Sequence, residues 1–181
     1  MSRKVTIIGA GSVGSTIAYT MAVNGLAGEV VMIDINTSKA LGEAMDIRQG
    51  TPFCAPIQIY AGTYADAEGS DVVIVTSGVA RKPGQTRIDL AQTNVNIIKS
   101  LTPEIVKYAP NAIYVFVANP VDILTYVFNK ISGIPENRII GSGTILDTAR
   151  LRSRLAEYMS ISLPWPEEPT PVRIWSRGSG P

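Results

Sequence analysis

The stretch KVTIIGAGSVGSTIAYTMAVNGLAGEVVMID, residues 4–34, decides the fold. Its β-branched start, Val5–Ile8, is typical of a buried parallel strand. Apolar residues then recur at helical spacing from Val13 to Ala22, which predicts a helix. A second apolar run, Val30–Ile33, predicts another strand, and Asp34 follows it directly. The order is therefore strand, glycine turn, helix, strand and acidic residue.

The turn between the first strand and the helix has GxGxxG spacing, with Gly9, Gly11 and Gly14. Gly9 allows a sharp turn, Gly11 lets a pyrophosphate approach the backbone, and Gly14 allows helix and strand to lie close together. The N–H groups at the helix start favour phosphate binding. Asp34 can accept hydrogen bonds from a ribose diol, and its charge would repel a 2′-phosphate. The stretch predicts a site for NAD rather than NADP, the alternative being an ordinary tight turn.

Composition narrows the class of protein. The 181 residues are 45% hydrophobic and 17% charged, with a net charge of +1, so we expect a soluble globular protein that binds neither nucleic acid nor membranes. The single cysteine, Cys54, cannot form an internal disulfide and fits a cytoplasmic location. We expect no signal peptide and no metal site. The chain contains no histidine, so a mechanism that needs one cannot run on this chain alone.

Strand and helix patterns alternate along the chain and predict an α/β fold with a Rossmann-type, doubly wound parallel sheet. Further strands are expected at 57–60, 71–76, 113–117 and 138–140, and helices at 37–48, 87–100, 122–131 and 146–159. Thr102-Pro103 is interpreted as the start of a separate helix, Pro103–Tyr108. From about Leu163 the sequence is proline-rich and has no periodicity, so residues 163–181 are expected to be irregular.

Three further motifs make the pattern specific. They are ARKPGQTRIDL (80–90), VANPVDILTYVFNKISG (117–133) and IIGSGTILDTARLR (139–152). Together with the glycine turn they resemble the lactate/malate dehydrogenase family, the NAD-dependent L-2-hydroxyacid dehydrogenases, from about Lys4 to Ser160. The resemblance implies hydride transfer between NADH and a 2-oxo acid, and a homo-oligomer in the complete family member.

The resemblance also implies roles for individual residues. Arg150 would bind the substrate carboxylate through two parallel hydrogen bonds. Arg87 would close over the site and polarise the carbonyl. Asn119 would lie beside the substrate oxygen, and Asp147 would orient the catalytic histidine. The implied cofactor residues are Gly9, Gly11, Val13, Gly14, Asp34, Lys39, Tyr64, Gly78, Val79, Val117 and Asn119.

Arg81 bears on the substrate, because it matches the family position that contacts the substrate's side group. A guanidinium pairs with the second carboxylate of oxaloacetate and would be left unpaired by pyruvate. Arg81 therefore slightly favours oxaloacetate, although the surrounding GVARKPGQTR also resembles clostridial sequences that carry the lactate name. Arg152 matches a position that binds an allosteric sugar bisphosphate in some bacterial lactate dehydrogenases.

The match breaks off after Ser160, where the family pattern continues into a Gly-Glu-His-Gly motif with the proton-donating histidine. We therefore expect residues 1–143 to form the NAD-binding domain and 144–162 the start of a truncated substrate domain. Without the histidine this chain is expected to be catalytically incompetent. Alternatives are a non-catalytic NAD-binding module, a fragment that does not fold stably, and a short-chain dehydrogenase, because Tyr126 and Lys130 have that family's catalytic spacing.

Overall fold

The computed structural model describes residues 3–80, 84 and 86–160 of the chain. Arg81 and the tail 163–181 lie outside the described residues. The chain divides into two compact units, residues 1–141 and residues 142–181. Within the described residues, no helix is both long and apolar enough to cross a membrane.

The first unit is built on a parallel sheet of six strands. They are β1 (Lys4–Ile8), β2 (Glu29–Ile33), β3 (Gln58–Ala61), β4 (Val72–Val75), β5 (Ile113–Phe116) and β6 (Ile139–Gly141). Their order is β3-β2-β1-β4-β5-β6, and each neighbouring pair is parallel. The order reverses between β1 and β4, which makes the carboxyl ends of these two strands the switch point of a doubly wound sheet. The predicted Rossmann-type fold is confirmed.

Four helices flank this sheet: α1 (Ser12–Asn24), α2 (Thr37–Gly50), α3 (Arg87–Tyr108) and α4 (Val121–Ser132). Short 3₁₀ turns occupy Thr51–Phe53, Tyr64–Ala67 and Glu136–Arg138. The second unit contains α5 (Ile145–Met159).

Strand alternation separates the core of the first unit into two clusters, one for each face of the sheet. Val5 and Ile7 of β1 lie in the cluster that includes the buried alanines of α1 and α2, whereas Ile8 lies with the buried side chains of α3 and α4. Thr6 is buried as well, and its Oγ1 is hydrogen-bonded to Ser70 Oγ at 2.7 Å. Apolar side chains cover both faces, as the continuous apolar strands predict.

The predicted helix break at Thr102-Pro103 is wrong, because α3 runs without interruption from Arg87 to Tyr108. Thr102 does not cap a new helix: its side chain is buried, and Oγ1 donates to Ile98 O at 2.6 Å. Leu101 and Ile105 are also buried. Their burial holds the helix on the core across Pro103, which has no N–H to donate to the helix ladder.

The second unit is described by its helix α5, none of whose residues is buried. Leu151, Leu155 and Met159 follow one another at helical spacing and are all exposed. Two ion pairs lie on the same helix, Asp147 with Arg150 and Arg154 with Glu157. Such exposed pairs contribute little to stability.

Candidate functional site

Two glycines allow α1 to approach β1 and β4 at the switch point. Gly9 has φ +109°, and a Cβ there would lie 2.6 Å from Thr76 Oγ1 and 2.9 Å from Ser77 N. A Cβ on Gly14 would lie only 1.9 Å from Gly9 O. Thr76 Oγ1 donates to that same carbonyl at 2.9 Å. The turn is therefore packed too closely for any side chain at these two positions.

Gly11 has different surroundings. It is the N-cap residue of α1, an added Cβ would meet nothing within 4 Å, and no side chain caps the helix. The first turn holds no acidic residue, and Val13 within it is 53% exposed. This helix start thus has no side-chain cap and has open space beside Gly11, which is the arrangement that binds a phosphate group.

Asp34 lies at the carboxyl end of β2 and is tied to the glycine turn. Its Oδ2 accepts from Ala10 N at 2.7 Å, and its Oδ1 accepts from Asn36 N at 2.8 Å. Each carboxylate oxygen can accept more than one hydrogen bond, so both keep capacity for hydroxyl donors. The half-buried carboxylate is thus held beside the uncapped start of α1, as a ribose diol next to a pyrophosphate requires. The residues present fit a dinucleotide.

Two more predicted cofactor residues flank Asp34. Tyr64 is half-buried, and its pKa is raised by burial first and by the negative charges of Glu104 and Asp34 second. It therefore stays a neutral phenol at physiological pH. Lys39 lies in the first turn of α2 with its side chain exposed, and its backbone N–H donates to the cap residue Asn36 at 3.0 Å.

The loops after β4 and β5 meet at a residue that sequence reasoning missed, Asn94 of α3. Its Oδ1 accepts from Val79 N at 2.9 Å, and its Nδ2 donates to Asn119 O at 2.7 Å. Gly78 lies against the same amide, because a Cβ there would be 3.4 Å from Nδ2. Asn94 thus brings together Gly78, Val79 and Asn119. No motif signalled it, since a single asparagine in a polar helix start is unremarkable by pattern.

The β5 end of this edge carries the other two predicted cofactor residues. Val117 is half-buried and extends the sheet by one hydrogen bond, from its N–H to Val75 O at 3.0 Å. Asn119 is exposed, and its peptide bond to Pro120 is cis. Its side chain therefore faces solvent while its carbonyl is held by Asn94.

Arg87 is the first residue of α3 and is exposed. Thr86 caps the helix and forms a reciprocal pair with Asp89, in which Asp89 N donates to Thr86 Oγ1 at 3.1 Å and Thr86 N donates to Asp89 Oδ2 at 3.1 Å. The Thr86 hydroxyl and backbone N–H hold the pKa of Asp89 below its usual value. The helix end that carries Arg87 is therefore well capped.

In the second unit, Asp147 and Arg150 lie one helical turn apart. Arg150 Nη1 is 3.1 Å from Asp147 Oδ1, and both side chains are largely exposed. The ion pair is weak enough for the guanidinium to exchange Asp147 for another carboxylate. No described residues form a cluster of three or more metal-ligating side chains.

An open parallel sheet, a glycine turn at its switch point and an acidic residue ending β2 define a Rossmann-type dinucleotide-binding domain. The chain belongs to the lactate/malate dehydrogenase family, whose NAD-binding domain matches residues 3–141. The predicted family and cofactor, NAD, are confirmed. This family match overturns the short-chain dehydrogenase alternative. Tyr126, on which that alternative was based, is exposed on α4, and the Lys130 ammonium lies over its ring.

Relatives agree with this assignment. L-lactate dehydrogenase 1 of Clostridium acetobutylicum is 52% identical over 90% of this chain and 52% of its own length. L-lactate dehydrogenase of Acetivibrio thermocellus is 54% identical over 88% of this chain and 50% of its own. The chain thus spans about half the length of the curated relatives it matches.

Solved structures give the same picture. A ligand-bound minor L-lactate dehydrogenase from Enterococcus mundtii has a TM-score of 0.86 at 43% identity, over 89% of this chain and 52% of that one. The malate dehydrogenase of Picrophilus torridus in its apo form has a TM-score of 0.85 at 41% identity, over 90% of this chain and 52% of that one.

Proposed function

We propose that this chain is the NAD-binding part of an L-lactate dehydrogenase, whose complete form transfers hydride between NADH and pyruvate. The observation that carries the cofactor half of the proposal is the Asp34 carboxylate, held 2.7 Å from Ala10 N beside the uncapped end of α1. When bound, the cofactor would supply a hydride acceptor in its oxidised form, NAD⁺, and a hydride donor in its reduced form, NADH.

The substrate half of the proposal rests on the relatives. Those at 52% and 54% identity are named L-lactate dehydrogenases, which favours pyruvate. They do not support the slight preference for oxaloacetate that Arg81 suggested. The malate dehydrogenase of Picrophilus torridus, at 41% identity, makes oxaloacetate the competing substrate to test.

The substrate residues keep the roles that the family resemblance implies. Arg150 binds the carboxylate of the 2-oxo acid in a two-hydrogen-bond fork. Arg87 and Asn119 act on the carbonyl oxygen as negative charge develops there. Asp147 orients the imidazole that donates a proton to this oxygen, a residue type that the present chain does not contain. The cytoplasmic location, the homo-oligomeric state and an effector role for Arg152 stay predictions.

Cofactor choice tests the Asp34 assignment. We expect the 181-residue chain to bind NADH more tightly than NADPH, because the carboxylate repels a 2′-phosphate. The substitution Asp34→Asn removes that charge and should lower the preference about tenfold. Fluorescence titration with both nucleotides measures the two Kd values.

The control for this titration is Asp46→Asn, which removes the same charge from an exposed position on α2. It should leave the preference unchanged. Equal binding of NADH and NADPH by the unmodified chain would contradict the assignment.

Turnover separates the proposal from a purely non-catalytic NAD-binding module. The absence of histidine leads us to expect that the 181-residue chain alone oxidises no NADH with pyruvate or oxaloacetate. A longer chain that carries these residues and the substrate half should reduce pyruvate with a higher kcat/KM than oxaloacetate. The opposite ratio would restore the dicarboxylate preference.

A further inference from the structure

Asn94 is one of two buried polar side chains on α3, the other being Thr102. It is 1% exposed and is the first buried residue of the helix, since none of the residues from Arg87 to Thr93 is buried. The first two turns of α3, which begin with Arg87, therefore lie outside the buried core, and Asn94 is the position at which the helix enters it.

The hydrogen-bonding capacity of the Asn94 side chain is almost fully used within the protein. A carboxamide has two N–H donors. One donates to Asn119 O at 2.7 Å and the other to Val79 O at 3.4 Å, while Oδ1 accepts from Val79 N at 2.9 Å. With so little exposed surface and so few unused donors, the Asn94 side chain acts chiefly through the backbone that it holds.

The two segments that Asn94 joins belong to different strands. Val79 follows β4, and Asn119 follows β5, so both lie at the carboxyl edge of the sheet. Backbone hydrogen bonds between the two strands continue as far as Val117 and Ala118, whose N–H groups donate to Val75 O at 3.0 and 3.3 Å. Beyond those bonds, Asn94 is the described side chain that links the two loops.

We propose that Asn94 is a positioning residue that sets the spacing of the β4 and β5 loops at the cofactor site through its simultaneous bonds to Val79 and Asn119. The inference rests on the proposed function only insofar as these loops line the NAD site. An amide is required because it accepts and donates hydrogen bonds at the same time. A carboxylate cannot donate, a hydroxyl is too short to contact both loops, and an aliphatic side chain forms no hydrogen bond.

The substitution Asn94→Asp tests the donor function. It keeps an acceptor for Val79 N–H but places a carboxylate oxygen against Asn119 O, where the wild type has a 2.7 Å hydrogen bond. We expect the Kd for NADH to rise at least about tenfold, since the partly buried Asn119 carbonyl loses its donor and faces a negative charge instead. Asn94→Ser is a milder variant whose short hydroxyl does not span both loops, and we expect a smaller rise in the same direction.

Two controls on the same helix separate positioning from stability. Thr102→Val removes the other buried hydrogen bond, to Ile98 O at 2.6 Å, and touches neither loop. It should lower Tm without changing the Kd for NADH. Asn96→Asp adds the same charge at an exposed position two residues away and should change neither quantity.

Amide hydrogen exchange of the unliganded chain gives a readout that does not depend on NADH. Asn94→Ser should speed exchange at Val79 and Ala118, whereas Thr102→Val should not. The inference is overturned if the Asn94 variants and Thr102→Val, compared at equal Tm, have the same Kd for NADH and the same amide exchange rates. Asn94 would then have only a structural role. If the unmodified chain fails to bind NADH, the proposed function fails, and the exchange result still decides whether Asn94 positions the loops.

Discussion

Gly11 and Gly14 lie three residues apart in one turn, yet an added methyl group meets different surroundings at the two positions. At Gly14 it would overlap Gly9 O, 1.9 Å away, whereas at Gly11 it meets nothing within 4 Å. We expect Gly14→Ala to lower the free energy of unfolding by about 1–3 kcal/mol or more, because backbone must move. Gly11→Ala should leave stability nearly unchanged and weaken NADH binding, because the methyl group occupies the space that a pyrophosphate needs.

Urea unfolding and NADH titration of both variants measure the two effects separately. Each variant acts as the control for the other, since both replace glycine by alanine in the same turn. A Gly11→Ala chain that binds NADH normally would show that the pyrophosphate does not approach α1 at this point.

Tyr60 and Glu29 form a linked pair at the opposite, amino edge of the sheet. Tyr60 Oη donates to Glu29 Oε1 at 2.7 Å, and Lys4 Nζ lies 3.0 Å from the same oxygen. The hydrogen bond from Tyr60 is the largest cause that lowers the pKa of Glu29 from its ordinary 4.5. Burial first, and Glu29 second, raise the pKa of Tyr60 to about 12.

The pKa directions fix the pH window in which Tyr60→Phe destabilises the protein. Glu29 contributes stability above its unfolded pKa and loses it as pH falls through the lowered folded value. Tyr60 contributes stability below its unfolded pKa and loses it as pH rises toward about 12. The variant should therefore lose at most about 1 kcal/mol near neutral pH and less in acid. Urea unfolding at several pH values measures this, with the exposed Tyr19→Phe as the control.

At the scale of elements, α3 accommodates Pro103 inside a continuous helix. Alanine is about 3 kcal/mol better than proline in a helix interior, and about 1 kcal/mol of this is offset by greater freedom of the unfolded chain. We expect Pro103→Ala to raise the free energy of unfolding by about 1–2 kcal/mol, as measured by urea unfolding.

The matched control is Pro110→Ala, which lies past the end of α3 at an exposed position. It changes only the freedom of the unfolded chain and should be slightly destabilising. A loss of stability in Pro103→Ala as large as in Pro110→Ala would mean that the helix does bend or break at Pro103.

Local patterns sufficed to predict the strands and most helices, because β-branched runs and helical apolar spacing are properties of neighbouring residues. They failed at Thr102-Pro103, where buried Leu101 and Ile105 override a cap signal. They also missed Asn94, whose partners Val79 and Asn119 are distant in sequence and meet it only in the folded sheet. The glycine turn and Asp34 were predictable because that site is encoded almost contiguously.

At the scale of the whole molecule, the buried hydrophobic residues of the described chain all lie at or before Ile139, and α5 contributes none. We therefore expect a chain ending at residue 141 to keep the unfolding midpoint of the longer chain and its affinity for NADH. Loss of the exposed Leu151, Leu155 and Met159 should reduce self-association.

Thermal unfolding, NADH titration and analytical ultracentrifugation of the two chains measure these quantities side by side. A large drop in midpoint on truncation would show that residues beyond 141 support the sheet.

The placement of β1 in the middle of the sheet has a consequence for synthesis on the ribosome. β1 emerges before the other five strands, but Val5 of β1 pairs in register with Val72 of β4. One edge of β1 therefore has no neighbouring strand until β4 has been synthesised. Asn119, which completes the cofactor edge, is made later still. We therefore expect NADH to stabilise the nascent chain fully only after β5 has emerged, because the cofactor edge is complete only then. Shorter nascent chains leave apolar strand surface exposed.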